Sequence, residues 1–302
     1  MGLVVMVALP IFALTTFGSS SIYADLQSFG EQDDMIVAEK RDEHGNVIPV
    51  FDSELPHTSS TETAFYSPNP EDYLESNLIF GPDERTILPE SDYTKFPYRT
   101  VCLLHAKYDT NGDGVYDKTG VGTGVLVGPR TVLTAAHVVF DNTAGVWSNT
   151  VHVFPGGHKN SNNSLVTPYG QFHSASIVKG NNHITHSSAD DWAIIDLNAD
   201  IGDQIGYMGV SSSLSNGNSV RLYGYHGDYN SKLGYGPGVT DAVETYKFRH
   251  NCDAIAGSSG GPVTRGTTTV VGIHSGGYNS NWDQACKVSD YIVGWVEERI
   301  GL

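Results

Sequence analysis

Positive charge is scarce in this 302-residue chain. Lys and Arg number 17 against 34 Asp and Glu, a formal net charge of −17 at pH 7. A protein that binds phosphate backbones needs a basic surface, so nucleic acid is excluded as a partner. Cysteine is sparse too. The three, Cys102, Cys252 and Cys286, are an odd number, so they cannot all pair within the chain. Apolar runs stop early: Leu3–Phe17 is followed by small residues ending at Ala24. That pattern reads as a secretory signal over 1–24, too short for a secure membrane span, although no Lys or Arg precedes the run. An uncleaved N-terminal anchor is the other reading. Export leads to an oxidising compartment and a secreted, extracellular product with no membrane in its mature form. Sustained helical periodicity is missing until the C-terminus, which excludes a helical bundle.

What is present favours strands. Gly is abundant at 34, and 39% of residues are hydrophobic, enough for a core. From about Leu78 short apolar runs alternate with Gly, Asn, Asp and Pro turns, as in "RTVCLLHAKY", "GTGVLVGPRTVLTAAHVV", "DWAIIDL", "SVRLYGYHG" and "TTTVVGIHSGG". "VSDYIVGWVEERI" then sets Ile292, Trp295, Val296 and Ile300 on one helical face with Ser289 as N-cap. The reading is an all-β barrel or sandwich closed by a C-terminal helix. Residues 25–76 differ: 13 Asp and Glu stand against 2 Lys and Arg, with scattered Pro. Such a segment does not bury enough apolar area to fold alone. It reads as an acidic pro-segment ahead of a domain at 77–302, the alternative being a disordered spacer.

Three local contexts supply the parts of an activated alcohol. Serine is a weak nucleophile at neutral pH and needs a base, a group that orients the base, and donors for the oxyanion. "TVLTAAHVV" ends a buried-looking strand on His137 after two small residues. "SADDWAIIDL" sets Asp191 at the head of an apolar strand. "DAIAGSSGGPV" holds Ser259 among glycines and runs straight into a strand, which a flexible linker would not do. Gly257 can adopt the backbone angles that turn its N–H inward, and Ser259 adds its own N–H. A strand-end His, a turn Asp and a Gly-Ser run are each ordinary alone. An esterase of the α/β-hydrolase type is disfavoured, since "GSSGG" leads to a strand rather than a helix.

"TAAHVV", "DDWAII" and "GSSGGP", in that order, resemble the chymotrypsin-like serine endopeptidases over residues 78–302. The resemblance implies two six-stranded antiparallel β-barrels with a C-terminal helix. It implies Ser259 as nucleophile, His137 as general base then acid, Asp191 as orienter, and peptide or protein substrates handled by a monomer without a catalytic cofactor. A non-catalytic binding module on the same fold is the competing class. Ser258 stands where trypsin-type zymogens carry Asp, so that activation switch is missing. "LIFGPDERT", "FPYR" and "CDAIAGSSGGP" are most similar to the bacterial glutamyl endopeptidase branch.

In that branch the residue matching His274 binds an acidic side chain before the scissile bond (P1), the other reading of His274 being a structural strand residue; Ser275, Gly276 and Gly277 can pair with the substrate backbone as an extra strand. The branch's pocket threonine is Ala254 here. Asp253 offers a rival: it lies six residues before Ser259, the trypsin spacing for basic P1 selection. Cys252 and Cys286 flank this pocket in sequence and are expected to bridge, leaving Cys102 a buried thiol. Finally, "DTNGDGVYD" puts Asp109, Asn111, Asp113 and Asp117 at positions 1, 3, 5 and 9 of a calcium-loop pattern. It reads either as a structural calcium site or as a hairpin tip.

Overall fold

The computed structural model describes residues 36–56, 58, 60–64, 83–181, 187–278 and 281–301. The signal-like segment and the expected domain start near residue 77 lie outside the described residues. The chain opens with a hairpin, β1 (Ile36–Arg41) and β2 (Val47–Phe51), and a short β3 (Thr86–Ile87). Then come β4 (Val101–Tyr108), β5 (Lys118–Leu126), β6 (Thr131–Thr134), a helical turn α1 (Ala136–Val139), β7 (Phe140–Asp141), β8 (Val146–Trp147) and β9 (Thr150–Pro155). The first half finishes with β10 (His158–Lys159), β11 (Leu165–Val166), β12 (Phe172–Gly180), β13 (Ala193–Leu197) and α2 (Ile201–Ile205). The second half runs β14 (Gly209–Val210), β15 (Ser219–His226), β16 (Lys232–Asp241), β17 (Lys247–His250), β18 (Pro262–Arg265), β19 (Thr269–Gly277), β20 (Asp283–Lys287) and α3 (Asp290–Ile300).

Strand order β13-β6-β5-β4-β9-β12, closed by β12 pairing with β13, makes one six-stranded antiparallel barrel. Order β19-β18-β15-β16-β17-β20, closed by β19 with β20, makes the other. Closure pairs most of each strand on both sides. Leu103, Leu104, Val125, Leu133, Val153 and Ile195, on strands of the first barrel, belong to the main apolar core, and Val220, Leu222, Phe248, Val263 and Val271 form a second cluster on strands of the other. The C-terminal helix forms where its 3.6-residue period predicts. Ile292, Val293 and Val296 are buried, and Arg299 grips Asp196 of β13 with two hydrogen bonds of 2.6 and 3.0 Å.

The acidic N-terminal segment is more ordered than its composition suggests. β1 pairs with β12, Ala38 opposite Gly180, and Glu39 forms an ion pair of 2.9 Å with the fully buried Lys179. Lys179 also lies over the Phe140 and Trp147 rings. Further on, Pro56 packs against Gly294 of α3, Thr58 bonds Glu297, Thr63 N–H donates to Val210 at 2.8 Å, and Arg265 of β18 pairs with Glu62 at 3.1 Å. The segment therefore forms a strap from the first barrel, past the helix, to the second. It needs no core of its own because its backbone borrows the edge of β12 and its few apolar residues, Ala38 and Val50, join the main core.

The expected Cys252–Cys286 bridge is corrected: all three cysteines are free and buried. Cys286 stands opposite Lys247, and Cys252 lies further along the same strand direction, beyond His250. At about 3.3 Å per residue their Cα atoms are on the order of 15 Å apart, and a bridge needs them within about 7 Å. Cys252 points into the second-barrel core, while the Cys286 thiol donates to the Ala189 carbonyl at 3.2 Å.

Candidate active site

β6 delivers the chain to α1, a single turn on which His137 follows two fully buried alanines, Ala135 and Ala136. Asp191 sits at the end of a tight turn, Ser188–Asp190, just before β13. Its carboxylate is buried and accepts from the His137 backbone N–H at 3.0 Å and faces His137 Nδ1 at 2.8 Å. The Ser275 hydroxyl donates to the same carboxylate. For His137, burial works against protonation, but the Asp191 charge and hydrogen bond outweigh it and hold its pKa above the ordinary imidazole value. For Asp191, burial works the other way and the His137 charge and hydrogen bonds prevail, leaving its pKa below the usual carboxylate range.

Ser259 and His137 line one cleft, with Tyr108, Val121 and Phe140. The loop carrying Ser259 is held in shape by glycine. Gly257 has φ +100, and a side chain there would collide with the Tyr225 carbonyl. Gly260 has φ +81 and packs against Thr134 and the Thr123 carbonyl with no room for a Cβ. The Gly257 and Ser259 N–H groups make no hydrogen bond among the described residues, whereas Ser258 N–H donates to Ile255 and Gly260 N–H to His274. Two backbone donors thus stand free beside the alcohol.

His274 is buried, and its Nδ1 lies 3.2 Å from His250 Nε2. Burial, with His250, His137 and His226 nearby, pushes the His274 pKa well below its ordinary value. Ser275, Gly276 and Gly277 extend β19 beyond Ile273, where its pairing with β18 stops. On one side they face β20, Gly276 opposite Gln284 and Gly277 opposite Asp283. The other side is an open strand edge among the described residues. Asp253 accepts the Glu84 N–H at 2.8 Å and lines a surface hollow with Ala254, Arg85 and Asn281.

The loop between β4 and β5 carries Asp109, Asn111, Asp113 and Asp117 at a hairpin tip. Asp109 accepts the N–H groups of Gly112, Asp113 and Gly114. Asp117 accepts from the backbone and hydroxyl of Thr110. These oxygens are turned to the loop's own donors. The grouping of His, Cys and carboxylate atoms that could hold a metal lies elsewhere among the described residues, at His250, His274 and Asp283.

Residues 122–273 match the trypsin-like peptidase domain family. The chain is 32% identical over 238 residues to a Bacillus subtilis protein named extracellular metalloprotease, covering 74% of this chain and 70% of that protein. The chain belongs to the trypsin-like peptidase family. This trypsin-like peptidase is a serine endopeptidase with the chymotrypsin-like fold of two barrels. It is 27% identical over 234 residues to the glutamyl endopeptidase of Bacillus licheniformis, covering 72% of this chain and 68% of that one. Its fold matches a solved Glu endopeptidase structure with a TM-score of 0.61 at 20% identity, over 74% of this chain and 100% of that chain.

Two contributors to the site are not visible in the peptidase's sequence motifs. Thr123, fully buried on β5, ties the nucleophile loop to the first barrel. Its N–H donates to Ser259 O at 2.8 Å, its hydroxyl donates to Gly257 O at 2.8 Å, and the same hydroxyl accepts from Tyr225 N at 2.9 Å. His226 Nδ1 lies 2.9 Å from the Ser258 hydroxyl, both buried. Burial, then the nearby Arg85 charge, pushes the His226 pKa down to about 4, so the ring is neutral. This pair occupies the place where an Asp switch was noted as missing. No local signal marks either residue, because both act across more than thirty residues of chain.

Proposed function

We propose that this endopeptidase cleaves peptide bonds through Ser259, His137 and Asp191. The observation that carries the reading is the Asp191–His137 pair at 2.8 Å, sharing a cleft with Ser259 beside two unengaged N–H groups. Ser259 Oγ attacks the scissile carbonyl while His137 Nε2 takes its proton. Asp191 holds the Nδ1–H tautomer and stabilises the imidazolium. The tetrahedral oxyanion lodges between Gly257 N–H and Ser259 N–H. His137 then protonates the leaving amine, an acyl-Ser259 ester remains, and water activated by His137 hydrolyses it. The substrate backbone adds to the open edge at Ser275, Gly276 and Gly277 as an extra strand.

For P1 the reading is an acidic residue, bound by a hydrogen bond from the neutral His274 ring. The glutamyl endopeptidase relatives support it. Asp253, whose charge is felt by Asp283 across the same region, supports the alternative of a basic P1. The reading also includes export to the extracellular space, production as a precursor whose strap is removed, and action as a monomer.

A peptide library varied at P1 tests the whole reading. Cleavage after Glu that falls more than cleavage after Leu in His274→Gln supports the acidic preference. Cleavage after Lys and Arg that disappears in Asp253→Asn establishes the alternative. Hydrolysis that survives Ser259→Ala contradicts the mechanism itself.

A further inference from the structure

Three side chains on three strands of the second barrel share one face. β20 lies between β17 and β19. Its Asp283 stands opposite His250 of β17, and its Ala285 stands opposite His274 of β19. Cross-strand partners, and residues two apart on one strand, project to the same side of a sheet. His250 Nε2 and His274 Nδ1 are accordingly 3.2 Å apart, and one ligand-type atom from each of the three lies within 4.8 Å of the others. A tetrahedral ion with bonds of about 2.0–2.2 Å spaces its ligands roughly 3.3–3.5 Å apart. The two nitrogens already stand near that spacing, and a small rotation of the Asp283 side chain closes the rest.

His250 is fully buried; its Nε2 shares a hydrogen bond with His274 Nδ1, and its other ring nitrogen, Nδ1, has no hydrogen-bond partner among the described residues. Burial pushes its pKa down to about 3, and His274 is lowered as well, so both rings stay neutral with lone pairs to give. Asp283 is partly buried; burial and then the Asp253 charge push its pKa up to about 6, and no cationic side chain offsets either. Two imidazole nitrogens and a carboxylate oxygen, with a fourth position left for water, are a zinc-type donor set.

We propose that His250, His274 and Asp283 bind a zinc-class divalent ion, and that the bound ion obstructs the P1 pocket. The obstruction rests on the placement of His274 in that pocket; the binding does not. The test uses the full chain carrying Ser259→Ala, titrated with Co²⁺ and Zn²⁺. One equivalent of Co²⁺ should give the intense visible absorption of a tetrahedral site, displaced by Zn²⁺. Asp283→Asn and His250→Gln should each weaken binding by about tenfold or more, and His137→Ala should retain it. Asp283 is partly exposed, so its variant remains informative if His250→Gln fails to fold. No saturable binding overturns the proposal. So does binding lost in His137→Ala and kept in Asp283→Asn, which places the ion on the catalytic ring. In the active enzyme Zn²⁺ should raise KM and leave kcat unchanged. Binding at the cluster with hydrolysis unaffected overturns the obstruction and the P1 placement while the ion site stands.

Discussion

Asp191 accepts hydrogen bonds from the His137 backbone, the His137 ring and the Ser275 hydroxyl, and both partners' shifts follow from that. Protonated His137 cannot take the Ser259 proton, and its pKa is raised. Activity should therefore fall, on acidification, at a pH above the ordinary imidazole value of about 6.5; a kcat/KM profile locates that limb. Asp191→Asn offers the ring an amide and favours the wrong tautomer, so kcat should drop by roughly 10⁴. Stability carries the same signature. The raised His137 contributes fully below about pH 6.5 and its contribution is lost as pH rises through its folded pKa. The depressed Asp191 contributes fully above about pH 4, lost as pH falls through its folded pKa. Denaturation of Ser259→Ala with and without Asp191→Asn should differ most between those limits. Thr123→Val removes two hydrogen bonds of its hydroxyl and leaves Gly257 O and Tyr225 N unpaired, at a cost of about 1–3 kcal/mol. Because the loop that presents the oxyanion donors loosens, kcat should fall with KM little changed. His137, Asp191 and Ser259 were legible as candidates because each sits in a compact motif of its own. Thr123, His226 and His250 were not, since their partners are 102, 32 and 24 residues away.

At the level of elements, alternating apolar runs placed β4, β5, β6, β9, β13, β15 and β19, and the periodic C-terminus placed α3. The Gly- and Pro-containing β16 and the hairpin β1–β2 escaped notice because composition there opposes strand, and only pairing with β15 or β12 makes them strands. The disulfide expectation failed for a related reason: position in the chain does not reveal that the two thiols face different cores. The strap has a consequence for Lys179. Removing residues before 77 takes away Glu39, whose carboxylate pairs with the buried Lys179 at 2.9 Å and, with Asp191, favours its charge. Removing one carboxylate from beside a buried ammonium is destabilising. Lys179→Met should therefore raise the Tm of the shortened chain, relative to its effect in the full chain. Equal effects in both would show that Glu39 contributes nothing to the burial of Lys179.

On the scale of the whole molecule, two closed barrels built from distant strands make a fold of mostly non-local contacts, which form slowly. A strap bonded to both barrels and the helix is expected to shorten that search. Refolding of a chain beginning at residue 77 should be slower than refolding of the full chain in a stopped-flow comparison at matched denaturant, and similar rates would deny the strap a part in assembly. The strap also belongs to the most acidic stretch, 13 Asp and Glu against 2 Lys and Arg over residues 25–76. The barrels bring Ser259 and His137 to one cleft although they stand more than a hundred residues apart along the chain, and Asp191 bonds His137 from 54 residues away. The most direct measurement of that convergence is stoichiometric labelling with a serine-directed fluorophosphonate, read by peptide mass spectrometry. Incorporation of one equivalent on Ser259, abolished by His137→Ala in a chain that still melts cooperatively, is the predicted result. Label on another residue, or label on Ser259 that is indifferent to His137, would contradict it.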